Sequence, residues 1–286
     1  MAASTAALRG ITKQYKDFTL GPVDMTVPAG SIVGLIGENG AGKTTLLKIL
    51  FGVNRADDGT VDLLGGSPAD AATRAKIGVV FEDAFFYGSF TAAQVARSLA
   101  GMYGARWNAD SFSAYLRRFG LDAGKKLKEY SRGMRLKLSL AAALAHDPEL
   151  LVLDEATAGL DPVVRGELLD LFLEFIQDER HSIVMSSHIT ADLEQIADSI
   201  AYLHNGQLLF QENKDDLLQE YGVLHCGEDV LTSLPAGLVV FTRRGAYGCE
   251  SLVRERRTVQ ELLPEAVCDA ARLDDIMRFY SGRDAQ

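Results

Sequence analysis

The chain has 286 residues, a net charge of −10 and a pI of about 5.0. This length suits one large domain with an accessory part, and 47% apolar residues are enough for a sizeable core. The acidic balance argues against broad binding to a nucleic acid backbone, so no nucleic acid partner is expected. No uncharged run approaches the ~20 residues of a membrane span, and the N-terminus lacks the pattern of a signal peptide. We therefore expect any membrane role to depend on a partner.

Three cysteines, Cys226, Cys249 and Cys268, lie in the last quarter of the chain. They form no C-x-x-C pair and show no metal-ligand spacing. We interpret them as reduced, structural thiols of a cytosolic protein.

The N-terminal part is predicted to contain strands and turns. Residues 23–27 alternate apolar and polar side chains, and Pro28-Ala29-Gly30 ends the run. The apolar run 31–36 predicts a short buried strand, and the residues from Leu46 onward predict a helix.

A glycine-rich loop connects this strand to this helix and matches the pattern G-x-x-x-x-G-K-[ST]. Its three glycines allow the backbone to curl so that successive N–H groups point at a polyphosphate. The following helix adds the positive end of its dipole. Lys43 can then reach the β- and γ-phosphates, and the Thr44 hydroxyl can ligate Mg²⁺. The predicted phosphate-binding residues are Gly37, Glu38, Asn39, Gly40, Ala41, Gly42, Lys43, Thr44 and Thr45.

Two further strands are predicted after this helix. Asp58-Gly59 marks a turn, and residues 60–64 follow it as a strand. Residues 76–81 form the second candidate, which ends at the acidic pair Glu82-Asp83.

The middle of the chain predicts a helical insert, at about residues 88–145. Residues 91–94 form a capping box that begins one helix. Asn108 can cap a second helix, which Gly120 ends, and a third runs from about 131 to 144.

Strands and helices then alternate again, which indicates a mainly parallel sheet. The strands are predicted at 149–153 and 182–186, and the helices at 164–176 and 191–197. Asn205-Gly206 predicts a hairpin between two short apolar runs. The predicted fold class is α/β, a phosphate-loop NTPase core with an N-terminal antiparallel β portion, a helical insert and a small C-terminal α+β appendage.

The pattern changes past about residue 216. Residues 237–241 and 247–253 suggest short strands around Gly245. One face of a closing helix is predicted to consist of Leu273, Ile276, Met277 and Tyr280. We therefore predict a nucleotide-binding domain at 1–215 and an accessory domain at 216–286, with a dimerisation or regulatory role.

Polar residues end the two predicted buried strands of the second half. Asp154 can hold Mg²⁺ directly or through water, and Glu155 is a candidate for polarising the attacking water. Adjacent carboxylates at a strand end are more often solvated, but the phosphate loop favours the functional interpretation. Because neighbouring parallel strands end at one crevice, His188 can hydrogen-bond the γ-phosphate.

Four segments follow the phosphate loop in a fixed order, namely Tyr130–Met134, Leu150–Glu155, Ala158–Pro162 and Ser187-His188. Together with the loop, they resemble the ATP-binding cassette ATPases, the nucleotide-binding subunits of ABC transporters. The resemblance covers roughly residues 6–215, and the joint match is far more specific than any single motif.

This resemblance implies further roles. Tyr15 would stack on adenine, although a strand-edge tyrosine is the ordinary alternative. Ser131 and Gly133 would belong to the family signature, which contacts the γ-phosphate held by a partner subunit, and Asp161 to the loop that crosses the dimer interface. Residues 85–87 would lie at the groove for a helix of the membrane subunit, although core packing explains these aromatics equally well.

The chain departs from the family pattern at two places. The signature usually reads L-S-G-G-Q, whereas Arg132 replaces a glycine here and Met134 replaces the glutamine. Glu82 stands where the family usually carries a glutamine that touches Mg²⁺ and water. A carboxylate there either binds the metal more tightly or slows hydrolysis. This combination resembles bacterial ATPases that are paired with ABC-2-type membrane proteins.

The resemblance implies an ATPase subunit of a transporter, with export as the expected direction. Lys43, Glu155 and His188 would carry hydrolysis, while Thr44 and Asp154, with Glu82, would hold Mg²⁺. The expected partners are a multi-span permease and a second ATPase subunit, identical or different. The protein would lie on the cytoplasmic face of the membrane, bound through its permease.

Two other functions stay open. One is a soluble cassette ATPase that acts on ribosomes or DNA, although such proteins usually carry two cassettes or long insertions. The other is a regulatory module that binds ATP with little turnover, which Glu82 and Arg132 suggest.

Overall fold

The computed structural model describes residues 4–81, 86–235, 237–245 and 248–281. The chain divides into two compact units. The first unit comprises residues 1–189 and 201–210, and the second comprises residues 190–200 and 211–286. The functional boundary at residue 215 stays a prediction.

Strands and helices alternate along most of the described chain. The strands are β1 (Ser4–Gln14), β2 (Thr19–Pro28), β3 (Ile32–Ile36), β4 (Asp58–Leu63), β5 (Ile77–Phe81), β6 (Leu150–Asp154), β7 (Ser182–Ser186), β8 (Ser199–His204), β9 (Gln207–Asn213), β10 (Gly222–Cys226), β11 (Val239–Gly245), β12 (Gly248–Val253) and β13 (Val267–Ala270). The helices are α1 (Lys43–Leu50), α2 (Ala71–Arg74), α3 (Ala92–Tyr103), α4 (Ala109–Arg118), α5 (Arg132–Leu144), α6 (Pro162–Phe175), α7 (Thr190–Ile196), α8 (Lys214–Glu220), α9 (Glu228–Leu231), α10 (Arg256–Leu262) and α11 (Leu273–Ser281). Short 3-10 helices lie at Gly104–Arg106 and Leu127–Glu129.

The main sheet has six strands in the order β5-β6-β7-β3-β8-β9. Its strands β5, β6, β7 and β3 pair in parallel. The strands β3, β6 and β7 are buried along their whole length, which explains their mostly apolar sequences. The predicted α/β core with a mainly parallel sheet is thus confirmed.

A second sheet confirms the predicted N-terminal antiparallel portion. In it, β1 pairs antiparallel with β2 on one side and β4 on the other. Val23, Met25 and Val27 of β2 are buried, whereas Asp24 and Thr26 between them are exposed. This alternation is the expected pattern of a strand with one face on the core.

The three predicted helices of the insert form with the predicted caps. Thr91 Oγ1 accepts the Gln94 N–H, and Gln94 Oε1 accepts the Thr91 N–H, which is a capping box at the start of α3. Asn108 Oδ1 accepts the Ser111 N–H at 2.9 Å and caps α4. An apolar cluster joins the helices and includes Val95, Phe112, Leu116, Leu138 and Ala141.

The second unit contains a four-stranded sheet in the order β11-β12-β10-β13, whose paired strands are antiparallel. The connectivity is β10-α9-β11-β12-α10-β13. These are the connectivity and strand order of the ferredoxin-like, or split βαβ, motif. The sequence predicted strands around Gly245 and the last helix, but not α8, β10, α9, α10 or β13.

The buried face of α11 differs in part from the predicted one. Leu273 and Ile276 are buried as expected, but the third buried residue is Phe279. Met277 and Tyr280 are only partly buried. Among the described residues, no helix is long and apolar enough to span a membrane.

The N-cap of α4 allows a test of how the helical insert is stabilised. Asn108→Ala removes the acceptor of the Ser111 N–H, so we expect a loss of ~1 kcal/mol in unfolding free energy. The single tryptophan, Trp107, precedes the cap and packs on Phe112 with ring centroids 5.3 Å apart. Denaturant unfolding followed by its fluorescence would measure the loss. Asn108→Asp keeps an acceptor and should stay close to the wild type, and equal destabilisation by both variants would contradict the capping role.

Candidate nucleotide-binding site

The phosphate loop lies between β3 and α1, in the predicted strand–loop–helix context. The helix begins at Lys43, three residues before the predicted start. Gly37 has a φ of +158°, and a Cβ there would lie 2.2 Å from the carbonyl oxygen of Leu203. Gly42 has a φ of +107°, and a Cβ there would lie 2.8 Å from Phe18 Cζ. Only glycine fits either position without strain, so the curled backbone depends on both.

Lys43 is held inside the loop. Its side chain is only 6% exposed. The ammonium donates to the carbonyl oxygens of Gly37 at 2.7 Å and Glu38 at 3.2 Å, and Nζ lies 3.3 Å from Glu155 Oε1. These contacts fix a positive charge at the N-terminus of α1, where a phosphate would also meet the positive end of the helix dipole.

Asp154 joins the loop helix to the sheet. The Thr44 hydroxyl donates to Asp154 Oδ2 at 2.8 Å, and the Ser186 hydroxyl donates to Oδ1 at 2.6 Å. Asp154 is 5% exposed, so both of its oxygens are satisfied within a buried environment. The contact between Thr44 and Asp154 brings together two residues that the sequence predicted as Mg²⁺ ligands.

Glu155 and His188 form the second polar pair at this edge. His188 Nδ1 lies 2.6 Å from Glu155 Oε2, and the His188 backbone N–H donates to the same oxygen at 3.3 Å. The Glu155 backbone N–H donates to both the carbonyl and the hydroxyl oxygen of Ser186, each at 3.1 Å. A carboxylate can only accept, so the imidazole carries a proton on Nδ1. Its other nitrogen, Nε2, is then available to a further group, and the His188 side chain is 52% exposed.

An aromatic pair connects Tyr15 to the loop. Tyr15 lies between β1 and β2 and is 42% exposed, and its ring centroid is 6.4 Å from that of Phe18. Phe18 in turn lies against Gly42, as the blocked Cβ position there shows. The Tyr15 hydroxyl accepts from Asn54 Nδ2 at 3.2 Å. Phe18 therefore lies between the exposed ring of Tyr15 and the phosphate loop.

The rest of the loop separates into exposed and supporting residues. Glu38, Asn39 and Gly40 are exposed, and Thr45 is partly buried. Ala41 is buried, and its carbonyl oxygen accepts the Gly206 N–H at 3.1 Å. The predicted hairpin at Asn205-Gly206 therefore holds the phosphate loop through this hydrogen bond.

The segment Tyr130–Met134, which the sequence predicted as the family signature, caps α5. It also contacts the loop that leads to Asp161. Ser131 Oγ accepts the Met134 N–H at 3.2 Å, and the two neighbouring residues Ser131 and Arg132 are exposed. A Cβ on Gly159 would lie 2.9 Å from Arg132 Nη1, so the guanidinium lies directly on that glycine. A Cβ on Gly133 would make an ordinary contact with Leu160.

Asp161 and Tyr130 both make local hydrogen bonds. Asp161 caps α6 by accepting the N–H groups of Val163 and Val164. The Tyr130 hydroxyl donates to the Asp122 carbonyl at 2.6 Å, and burial raises the pKa of this phenol. Glu82, the third predicted Mg²⁺ ligand, lies outside the described residues, as does Phe85.

Ser186 is one of the site residues that the sequence analysis missed. It pairs in register with Asp154 and bonds to both carboxylate residues of the site. The signal was present, because a serine ends an otherwise apolar strand at the edge where Asp154 ends its neighbour. Phe18 and Asn54 carried no comparable signal.

The donors at this edge fit a magnesium ion. Mg²⁺ prefers oxygen ligands and keeps several waters or phosphate oxygens, so one carboxylate and one hydroxyl from the protein suffice. Thr44 and Asp154 supply these two groups side by side. The described residues contain no group of three or more His, Cys, Asp or Glu side chains suited to a metal. A nucleotide-bound Mg²⁺ needs no such group.

A glycine-rich loop on a parallel sheet, a buried lysine within it, and paired threonine and aspartate oxygens beside it define a phosphate-loop NTPase. A family model described as ABC transporter matches residues 20–158. The bacitracin transport ATP-binding protein of Enterococcus faecalis is 36% identical over 212 residues, covering 72% of the chain and 68% of that protein. A lantibiotic transport ATP-binding protein of Streptococcus pyogenes is 33% identical over 211 residues, covering 73% and 90%.

Solved structures agree on the fold. An ATP-binding subunit of an ABC transporter superposes with a TM-score of 0.68 and 28% identity, over 75% of the chain and 92% of that structure. A dimeric cassette bound to ADP and phosphate gives a TM-score of 0.66 at 23% identity, which supports the fold alone. The chain therefore belongs to the ABC transporter family and contains the ATP-binding domain of that family. The match spans 58% of the length of a Synechocystis ABC transporter ATP-binding protein that is 38% identical.

The geometry of the phosphate loop predicts that one methyl group added at Gly37 strongly weakens ATP binding. Gly37→Ala forces a clash with the Leu203 carbonyl at a positive φ, so we expect ATP affinity to fall at least ~10-fold, from strain of ~1–3 kcal/mol. Gly65→Ala is the control, because its φ is +72° but nothing lies within 4 Å of its Cβ and it is outside the loop. Titration of a fluorescent ATP analogue would compare the two. Equal affinities in both variants would show that the clash does not matter.

Proposed function

We propose that the protein binds and hydrolyses ATP with Mg²⁺ and so energises transport by an ABC-2-type membrane partner, in the export direction. The observation that carries this proposal is the meeting of distant residues at the carboxyl edge of the sheet. Lys43 and Thr44 from α1 contact Glu155 and Asp154 at the end of β6, and His188 after β7 contacts Glu155. Nucleotide hydrolysis needs this combination of cation, metal ligands and oriented carboxylate.

The chain itself would do the binding. The loop N–H groups, the N-terminus of α1 and Lys43 would hold the phosphates, and Tyr15 would stack on the adenine. The contact of Tyr15 with Phe18, and of Phe18 with the loop at Gly42, supports this role because it connects the Tyr15 ring to the phosphate loop.

Thr44 and Asp154, with Glu82, would hold the Mg²⁺ ion, which when bound neutralises phosphate charge and fixes the phosphate geometry. Ser186 would keep the Asp154 carboxylate turned toward Thr44 through its 2.6 Å hydrogen bond. Residues that orient a metal ligand usually matter for affinity, so we assign Ser186 this supporting role.

Glu155 would orient the attacking water, and His188 would position Glu155. Lys43 Nζ lies 3.3 Å from Glu155 Oε1, so phosphates that take the lysine's donors would weaken this ion pair. Glu155 would then keep its bond to His188 through Oε2 and present Oε1 to water. His188 Nε2 would hydrogen-bond the γ-phosphate as a donor, which requires a proton on this nitrogen as well as on Nδ1. Catalysis would rest on positioning and charge stabilisation, as in other phosphoryl transfers.

A second ATPase subunit would complete the site, with Ser131, Arg132, Gly133 and Met134 contacting the phosphate held by its partner. The exposure of Ser131 and Arg132 supports this, since a group that acts on a second subunit must be accessible. Asp161 would lie at the same interface. The named relatives act in bacitracin and lantibiotic transport, which supports a multi-span permease as partner and the cytoplasmic face of the membrane as location.

The first test concerns Glu155. Glu155→Gln keeps the shape but loses the charge, so we expect steady-state ATP hydrolysis to fall by ~100-fold or more while ATP binding survives. Measurement of phosphate release beside ATP-analogue titration separates the two effects. The ATP-bound dimer should accumulate and elute as a larger species in size-exclusion chromatography.

Lys43→Ala is the contrasting variant, since it should lose ATP binding and dimer formation together. If a second carboxylate replaces Glu155 as the base, Glu82 is the candidate, so the double variant Glu82→Gln with Glu155→Gln completes the set. Near-normal turnover in Glu155→Gln combined with a dead double variant would refute the role of Glu155. No turnover in the wild type would favour the regulatory module.

The second test concerns the membrane partner. Tyr87 is 74% exposed, whereas Phe86 is half-buried and packs on the helical cluster of the insert. Tyr87→Ala should therefore leave the fold and the ATPase intact but weaken permease assembly by ~2 kcal/mol, about 30-fold. Co-purification from detergent-solubilised membranes would measure this.

Met102→Ala is the matched control, because Met102 is 78% exposed on α3 of the same insert. It should leave assembly unchanged. Equal assembly of the wild type and both variants would place the permease elsewhere. Stoichiometric recovery of ribosomes or DNA instead of a multi-span protein would support the soluble cassette function.

A further inference from the structure

Two cysteines of the second unit lie directly opposite each other. Cys226 is the last residue of β10, Cys249 belongs to β12, and the two are register partners in an antiparallel pair. Because side chains alternate along a strand, register partners project from the same face of a sheet. In the structure both residues carry free thiols.

This pairing meets the geometric condition for a disulfide. Directly opposed residues of antiparallel strands have Cα atoms about 4.5 or 5.5 Å apart, and a disulfide spans about 4.4–6.8 Å. Cys268 is less suitable, because on β13 it is paired with Leu224, two residues before Cys226. That diagonal relation puts Cα atoms about 7–8 Å apart, at or beyond the limit for a bridge without backbone movement.

Two further observations bear on how the thiols react. Burial raises the pKa of the Cys226 thiol, and a negative charge on Cys249 raises it further, so the two sulfur atoms are within electrostatic reach. Cys226 is partly exposed, whereas Cys249 is 8% exposed. Cys226 is therefore the thiol that a reagent meets first, and its raised pKa predicts a slow reaction at neutral pH.

An open cavity of about 580 Å³ is lined by both cysteines and by several charged or polar side chains. Arg243, Arg244 and His225 line it, together with Glu250. Arg244 is ion-paired with Glu228, and Arg243 lies over the Phe279 ring. The guanidinium groups of Arg243 and Arg244 can attract a carboxylate of a low-molecular-weight disulfide such as oxidised glutathione.

We propose that Cys226 and Cys249 form a reversible intramolecular disulfide, which makes the second unit a thiol–disulfide switch. The Cys226 thiolate attacks one sulfur of oxidised glutathione and displaces a glutathione thiolate, which gives a mixed disulfide. Cys249, after losing its proton to solvent, attacks the Cys226 sulfur and displaces the second glutathione. The cysteine pair loses two electrons and two protons, and the oxidised glutathione gains them as two thiols.

The bond would tie the end of β10 to β12 and close the segment 227–248, which carries α9 and β11. A segment closed by a disulfide gains less conformational freedom when it unfolds, so it should become harder to unfold locally. The inference concerns only the second unit and does not depend on the proposed ATPase function.

The test treats the full-length protein with oxidised glutathione at mildly alkaline pH. We expect two of the three thiols to disappear together, with a loss in mass of two hydrogens. Peptide mapping without reductant should show Cys226 joined to Cys249, and dithiothreitol should restore both thiols. Limited proteolysis within 227–248 should slow in the oxidised form.

Cys268→Ser is the matched control, and it should form the bond as the wild type does. Cys249→Ser should instead stop at a glutathione adduct on Cys226. The wild-type peptide map needs no variant, so the test stands even if a variant fails to fold. A stable glutathione adduct, a bond to Cys268, or a bond between two molecules in the wild type would each overturn the proposal.

Discussion

The pairing of β6 with β7 is the constraint on which the site depends. Its register puts Asp154 opposite Ser186, and the hydrogen bond between them joins the two strand ends. Thr44 donates to the other oxygen of Asp154, so the same carboxylate holds the loop helix against the sheet. A slip of one residue would turn Asp154 to the opposite face of the sheet and separate Thr44 from its partner.

Charge balance then determines how the second carboxylate is held. Two adjacent acidic residues at a buried strand end would be costly without compensating partners. Asp154 is satisfied by two hydroxyl groups, while Glu155 is held between Lys43 and His188. The backbone of Glu155 has a φ of +52°, unusual for a residue with a side chain, and two acceptors on Ser186 hold its N–H. The strained backbone of Glu155 and its polar contacts therefore lie at the residue that is proposed to orient the attacking water.

Much of this arrangement was predictable because it depends on local sequence. The apolar runs that became β3, β6 and β7 are buried on both faces, and the caps at Thr91 and Asn108 depend on residues three positions apart. The C-terminal sheet was mostly missed for the opposite reason. Its strand β13 has four residues, too few for a periodic signal, and its order comes from non-local pairing. The contact of Arg132 with Gly159 also joins residues distant in sequence, so no local sequence pattern predicted it.

The central claim is that Thr44 and Asp154 bind the metal that accompanies the nucleotide. Calorimetric titration of ATP, with and without Mg²⁺, tests it most directly when the wild type is compared with Asp154→Asn. We predict that Mg²⁺ strengthens ATP binding by the wild type, and that Asp154→Asn keeps the metal-free affinity but loses most of this gain. An Asp154→Asn protein that gains as much affinity from Mg²⁺ as the wild type would contradict the account.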